Sequence, residues 1–216
     1  MEALTQIQVC KLVPVVVFEK TDDVLPVLTA LKNGGLPIAE ITFRTACAAE
    51  AVKLAVEQFP DMLIGAGTVI NEKQCKQALA AGAKFIVGPG LSKAVARVCK
   101  KAEIPYIPGI VTPTEIIRAL GLGLTLLKFF PADAFGGLKT IKALSAAFPK
   151  VFFMPTGGIN ADNILEYLAF PKVSACGGSW MMKGSPAEIE ANTKSAMMLI
   201  HGKGKGKGKE KESKPV

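Results

Sequence analysis

Lys128 is the residue of this chain best suited to covalent chemistry. It interrupts an apolar run, Leu126-Leu127-Lys128-Phe129-Phe130-Pro131, about where a buried strand would end. Burial strips water from an ammonium and favours the neutral amine. A neutral amine attacks carbonyl carbon and forms an imine. A strand-end lysine can instead carry its head group out to solvent on its apolar stem. The hexamer alone leaves both readings open.

A second stretch, Ile38-Ala39-Glu40-Ile41-Thr42-Phe43-Arg44, has polar residues at every second position. Side chains alternate across a strand, so Glu40, Thr42 and Arg44 share one face. A solvated face is the ordinary source of such a pattern. In a barrel, however, strands are covered inside and out, and inward polar groups near the strand ends mark a site. Lys128 shares its face with Leu126 and Phe130 and would meet Glu40 across the interior. Such a carboxylate favours the ammonium and opposes desolvation, so the amine is tuned by both. It also offers the proton transfers that carbinolamine dehydration and imine hydrolysis require. Arg44 would clamp a substrate carboxylate with its planar fork; a surface ion pair is its plain alternative.

The elements that must position these residues recur every 20 to 26 residues or so. After a short leading helix at residues 2–9, strands are expected at 12–18, 38–44, 63–68, 84–89, 106–110, 126–131, 151–155 and 173–176. Each is followed by a helical stretch with recognisable boundaries, among them Asn71 and Ser92 as N-caps and Thr112-Pro113 as a cap with proline in the first turn. Eight strand-then-helix units imply a parallel sheet with right-handed crossovers. Closure into a (β/α)8 TIM barrel is favoured over an open doubly wound sheet, because Gly65-Ala66-Gly67 lacks the third glycine of the dinucleotide fingerprint. Barrel sites sit at the C-terminal strand ends. There, Thr156-Gly157-Gly158 and Gly177-Gly178-Ser179 follow strands seven and eight, where barrels commonly bind phosphate. Glycine is also ordinary punctuation between strand and helix.

Composition removes several rivals. The one histidine, His201, lies beside the C-terminal tail, so a zinc hydrolase, a Ser-His-Asp triad or a Cys-His pair has no histidine in the body. Five cysteines form no CxxC pair and read as free thiols in a reducing compartment. The start Met-Glu-Ala-Leu lacks a basic leader, and the apolar runs fall far short of a membrane span. A soluble cytoplasmic protein is expected, with no membrane association. The net charge of +8 is half tail: residues 202–216 carry six lysines and two glutamates, leaving +4 for the rest. The expected division is one domain over residues 1–201 and a disordered Gly/Lys-rich tail over 202–216. A weak contact of the tail with nucleic acid or anionic lipid is conceivable, but nucleic acid is not an expected partner of the body.

Residues 35–44, with Glu40, resemble the glutamate-bearing signature of bacterial 2-keto-3-deoxy-6-phosphogluconate (KDPG) / 4-hydroxy-2-oxoglutarate (KHG) aldolases. Residues 123–136, containing Leu127-Lys128-Phe129-Phe130-Pro131-Ala132, resemble their Schiff-base lysine signature. Gly65-Ala66-Gly67-Thr68, Gly88-Pro89-Gly90, Ile107-Pro108-Gly109, Pro155-Thr156-Gly157-Gly158-Ile159 and Gly177-Gly178-Ser179-Trp180 follow in the family's order, and the likeness spans residues 9–200. The resemblance implies a class I aldolase of carbohydrate metabolism in the Entner-Doudoroff pathway, usually a homotrimer, with no metal and no cofactor. It implies Lys128 as imine former and Glu40 as acid–base residue. It places Arg44 and Thr68 on the pyruvoyl part and Thr156, Pro89 and Phe130 near substrate, with Gly157, Gly158, Gly178 and Ser179 on the distal phosphate. Phe135 stands where a small or polar residue is expected and could alter the pocket rim. The tail is not expected of the family. A metal-dependent barrel aldolase and a non-catalytic trimeric phosphate-binding scaffold are the alternatives.

Overall fold

The computed structural model describes residues 3–202. Helix α1 (Ala3–Cys10) leads into β1 (Leu12–Val16), and a 3-10 turn opens α2 (Val24–Asn33). Alternation continues with β2 (Ile38–Thr42), α3 (Ala48–Gln58), β3 (Leu63–Gly67), α4 (Glu72–Ala80), β4 (Ile86–Val87) and α5 (Lys93–Lys101). Then come β5 (Tyr106–Ile107), β6 (Gly109–Ile110), α6 (Pro113–Leu120), β7 (Leu126–Phe129), α7 (Gly137–Ala147) and β8 (Phe152–Pro155). The chain finishes with α8 (Ile164–Leu168), β9 (Cys176–Gly178) and α9 (Pro186–Gly202). The expected tail lies outside the described residues, apart from Gly202 at the end of α9.

Three helices begin where their capping residues predict. Asn71 Oδ1 accepts from Gln74 N–H, and Ser92 Oγ accepts from Val95 N–H. Thr112 and Glu115 form a reciprocal capping box with Pro113 inside the first turn. Caps of this kind typically stabilise by about 1 kcal/mol each. Their use here is to fix where each strand-to-helix loop ends.

All strand pairs are parallel. Six strands form one sheet in the order β5-β4-β3-β2-β1-β9, and three form another in the order β6-β7-β8. The structure is therefore α/β, with a parallel six-stranded half-barrel. The expected fifth strand is split at Pro108, which has no N–H to give a ladder. Its first part pairs with β4, and beyond the split Pro108 O accepts from Lys128 N–H at 2.8 Å. On the other side, Phe153 N–H donates to Lys172 O at 2.7 Å and Ser174 N–H to Phe153 O at 3.0 Å. A further parallel bridge joins Thr156 and Gly177.

Two other boundaries differ from expectation. The second strand stops at Thr42, leaving Arg44 in the turn beyond it. Gly177 and Gly178 lie within β9, paired with Val13 and Pro14, rather than in a loop after it. The sequence puts this strand at residues 173–176, a few residues early, because Gly-Gly reads as a turn. Every residue of β2, β3, β7 and β9 is buried, as for strands covered on both faces. A continuous cluster of buried apolar side chains runs from Ile7 to Ala196.

Candidate active site

Lys128, on β7, and Glu40, on β2, come from different sheets and meet in the interior. Lys128 Nζ donates to Glu40 Oε1 at 3.2 Å, with the side chains 6% and 0% exposed. The strand alternation thus turns both inward, and the lysine does not snorkel. The carboxylate fits because β3 carries Gly67 beside it. A Cβ at that position would lie only 2.1 Å from Glu40 Oε1. The second carboxylate oxygen, Glu40 Oε2, is buried with no protein partner, as are Thr42 Oγ1 and Thr156 Oγ1. Buried polar atoms without partners are costly and stand out in a native interior.

Phe130 links this pair to an open pocket, its ring centroid 5.2 Å from Lys128 Nζ. The pocket, about 180 Å³, is lined by Phe130, Arg44, Thr156, Gly157, Gly158, Gly178 and Ser179 from the sequence-derived set. Val15, Val17 and Ile159 complete its wall. Those three escaped sequence reading because nothing distinguishes an apolar pocket residue from an apolar core residue. Pro89 and Thr68 do not line the pocket. Pro89 packs its carbonyl where a side chain on Gly109 would stand. Thr68 acts at one remove: its Oγ1 accepts from Arg44 Nε at 3.2 Å, and its backbone sits at φ 55°. A β-branched residue in that region is strained by about 1–3 kcal/mol, which the surroundings must hold in place. The strained threonine therefore steadies the guanidinium at the pocket mouth.

Loop packing explains the glycine pair after β8. Ala132 N–H donates to Thr156 O and Asp133 N–H to Gly157 O, so residues 131–133 lie along residues 156–158. Gly158 has φ +84°, and a Cβ there would fall 2.3 Å from Asp133 Cβ. Only glycine allows this approach. Phe135 is 49% exposed and is not among the residues that line the pocket.

A larger groove of about 550 Å³ lies between α4 and α5, lined by Glu72, Lys76, Arg97 and Lys101 among others. Its charged residues are exposed, and Glu72 is already paired with Lys76. The smaller pocket is the better site, because its wall includes Phe130, whose ring lies against the ammonium of the buried lysine–carboxylate pair. Beneath the groove, Cys75 and Cys99 thiols lie 3.5 Å apart, buried between the two helices. The shared thiol hydrogen bond and burial push Cys99 up, so it stays a thiol and packs as a small apolar group. Among the described residues, no three His, Cys, Asp or Glu side chains gather where they could hold a metal ion.

The arrangement combines a buried amine, a carboxylate in contact with it and a cationic pocket mouth beside backbone-rich glycine loops. Residues 4–197 match the family described as "Aldolase: KDPG and KHG aldolase". The chain is 46% identical over 181 residues to the 2-dehydro-3-deoxy-phosphogluconate aldolase of Treponema pallidum, covering 84% of this chain and 85% of that one. It superposes with TM-score 0.84 and 40% identity on the KDPG aldolase of Legionella pneumophila, solved with pyruvate captured as a covalent carbinolamine, covering 94% and 98% of the two chains. The Zymomonas mobilis 2-keto-3-deoxy-6-phosphogluconate aldolase, solved with 3-phosphoglycerate, gives TM-score 0.87 and 36% identity over 92% and 96%. The chain belongs to the KDPG and KHG aldolase family.

Proposed function

We propose that Lys128 and Glu40 divide the work of a class I aldolase, the lysine forming the imine and the carboxylate moving the protons. The protein is an aldehyde-lyase that acts through a Schiff base on KDPG- and KHG-type keto acids. The observation that carries the residue roles is the buried 3.2 Å contact between Lys128 Nζ and Glu40 Oε1. An ammonium in contact with a carboxylate can hand it a proton and attack as the amine.

The steps are these. Lys128 attacks the C2 ketone of a 2-keto-4-hydroxy acid, and the carbinolamine loses water with the proton Glu40 has taken. Glu40, through a water, then accepts the proton of the C4 hydroxyl. The C3–C4 bond breaks, its electrons pass to the iminium nitrogen, and an aldehyde leaves. The enamine is protonated at C3, and hydrolysis releases pyruvate. The departing aldehyde is glyceraldehyde 3-phosphate from 2-dehydro-3-deoxy-6-phosphogluconate, or glyoxylate from 4-hydroxy-2-oxoglutarate.

Arg44, steadied by Thr68, is assigned the substrate carboxylate, and Thr156 and Phe130 the wall around the reacting carbons. Gly157, Gly158, Gly178 and Ser179 are assigned the distal phosphate; their place in the pocket wall supports this. Pro89, outside the pocket wall, keeps its assignment from the family likeness as a substrate neighbour. Joined through Pro108 on one side and the Thr156–Gly177 bridge on the other, the two sheets are read as a single (β/α)8 barrel. We read residues 1–201 as its one domain and residues 202–216 as an appended tail.

A homotrimer is the proposed assembly. Ile70 and Phe135 are exposed apolar residues after β3 and β7, at the same end as the pocket, where a partner subunit would cover them. The cytoplasm is the proposed location. Its support is that all five cysteines are free and that, among the described residues, no helix is long and apolar enough to cross a membrane.

Incubation with pyruvate and borohydride, followed by peptide mapping, tests the chemistry. A reduced pyruvate adduct on Lys128 is expected. An adduct elsewhere, or none, would sink the mechanism and leave the scaffold reading.

A further inference from the structure

We propose that Thr42 is a positioning residue for the proton transfers at this site: its hydroxyl, together with Glu40 Oε2, holds the water that relays protons to and from substrate. The inference rests on the roles assigned above to Lys128 and Glu40. Three observations carry it. First, Thr42 and Glu40 stand two apart on β2, so their side chains share a face, and each is fully buried. Second, Thr42 Oγ1 and Glu40 Oε2 both lack a protein hydrogen-bond partner. Third, Glu40 does not stand straight out from its own row of the sheet. The register pairs Glu40 with Gly65 and Thr42 with Gly67, yet the Glu40 carboxylate lies over Gly67. It leans one row toward the strand end, onto the level of Thr42.

Two unpaired polar atoms on one face, one of them on a carboxylate whose carbon lies at the level of Thr42, suit a water better than either suits isolation. A buried water commonly makes about three hydrogen bonds to polar groups left unsatisfied by the protein. Thr42 O–H donates to the water oxygen, and the water donates to Glu40 Oε2. The water's remaining lone pair faces the reacting carbons above Lys128. During cleavage the C4 hydroxyl proton passes to this water, and a water proton passes to Glu40 Oε2. The C3–C4 electron pair goes to the iminium nitrogen. The reverse transfer delivers a proton to C3 of the enamine. Valine has the shape of threonine without the hydroxyl, so nothing in packing alone demands threonine here.

Exchange of the pyruvate methyl protons in deuterated water isolates this relay, since it needs only imine formation and proton transfer at C3. Followed by NMR, Thr42→Val is expected to slow exchange about tenfold or more, the loss of an aligned relay, while Thr42→Ser stays within about threefold of the parent. Borohydride trapping of pyruvate at Lys128 should reach the same extent in all three proteins. Parent-like exchange in Thr42→Val would overturn the proposal. So would Thr42→Ser exchanging as slowly as Thr42→Val, which would assign the position to packing. Loss of trapping in Thr42→Val alone would assign Thr42 to fold or imine formation instead. Failure of the parent itself to trap pyruvate would fell the underlying mechanism, an outcome distinct from the others.

Discussion

Lysine meets carboxylate in two very different settings in this molecule. Lys32 Nζ lies 2.6 Å from Asp61 on the surface, with the side chains 44% and 59% exposed. Lys128 lies 3.2 Å from Glu40 with almost no exposure. Length alone would rank the surface pair as the stronger, yet water and salt screen it, and exposed pairs contribute little. The interior pair is costly to desolvate and leaves Glu40 Oε2 unsatisfied. A protein aiming only for stability would fill that space with apolar side chains. The contrast separates a contact that decorates the surface from one that is kept for chemistry.

The largest effect should come from breaking the interior pair at the lysine. Lys128→Met is expected to lower turnover by at least about 10⁴-fold and to abolish pyruvate trapping. It also orphans the Glu40 charge, which should cost about 3–5 kcal/mol in urea denaturation. Adding Glu40→Gln to that variant should recover most of the stability and none of the activity. If activity and stability recover together, the pair is structural.

Glu40→Gln alone comes next. Turnover should fall about 10²- to 10³-fold as proton transfer is lost, with the adduct on Lys128 still trapped at equilibrium. Near-parent turnover would remove Glu40 from the mechanism. Ser179→Ala should be milder. We expect KM for the phosphorylated substrate to rise about ten- to a hundredfold, one hydrogen bond to a charged group, with KM for 4-hydroxy-2-oxoglutarate unmoved. An equal rise for both substrates would place Ser179 on the shared keto-acid part.

Asp61→Asn should do least. Hydrogen bonding from Lys32 holds the Asp61 carboxyl below its ordinary value. Whatever stability it contributes is present above the unfolded-state carboxylate range and lost as pH falls through the lowered folded value. Thus the stability difference between parent and variant should vanish on acidification, and the pH–rate profile should not change. A displaced rate profile would tie the surface pair to the site.

Much of this was legible from residue order because it rests on local rules. Period-two polarity turned Glu40 and Thr42 inward, and the caps at Asn71, Ser92 and Thr112 are short-range hydrogen bonds. What escaped depends on neighbours distant in sequence. Arg44 left the strand because the turn beyond Thr42 takes over, and Thr68 proved to be its anchor rather than a wall of the pocket. Pro89 stood next to a promising glycine but faces Gly109. Val15, Val17 and Ile159 line the pocket, with no local mark to separate them from core. The split of the fifth strand was written in Pro108, though an apolar run around it masked the break.

The two-sheet division has one more consequence. Lys128 belongs to the three-stranded sheet and Glu40 to the six-stranded one, so the seam between them runs through the reactive centre. Neither half owns the chemistry. Catalysis becomes a gauge of how well two pieces of the protein are seated on each other, read over a gap of 3.2 Å. The pair is complete only where the sheet edges meet, at Pro108 on one side and at Thr156–Gly177 on the other, so activity reports on how the strands are assembled and not on any one strand.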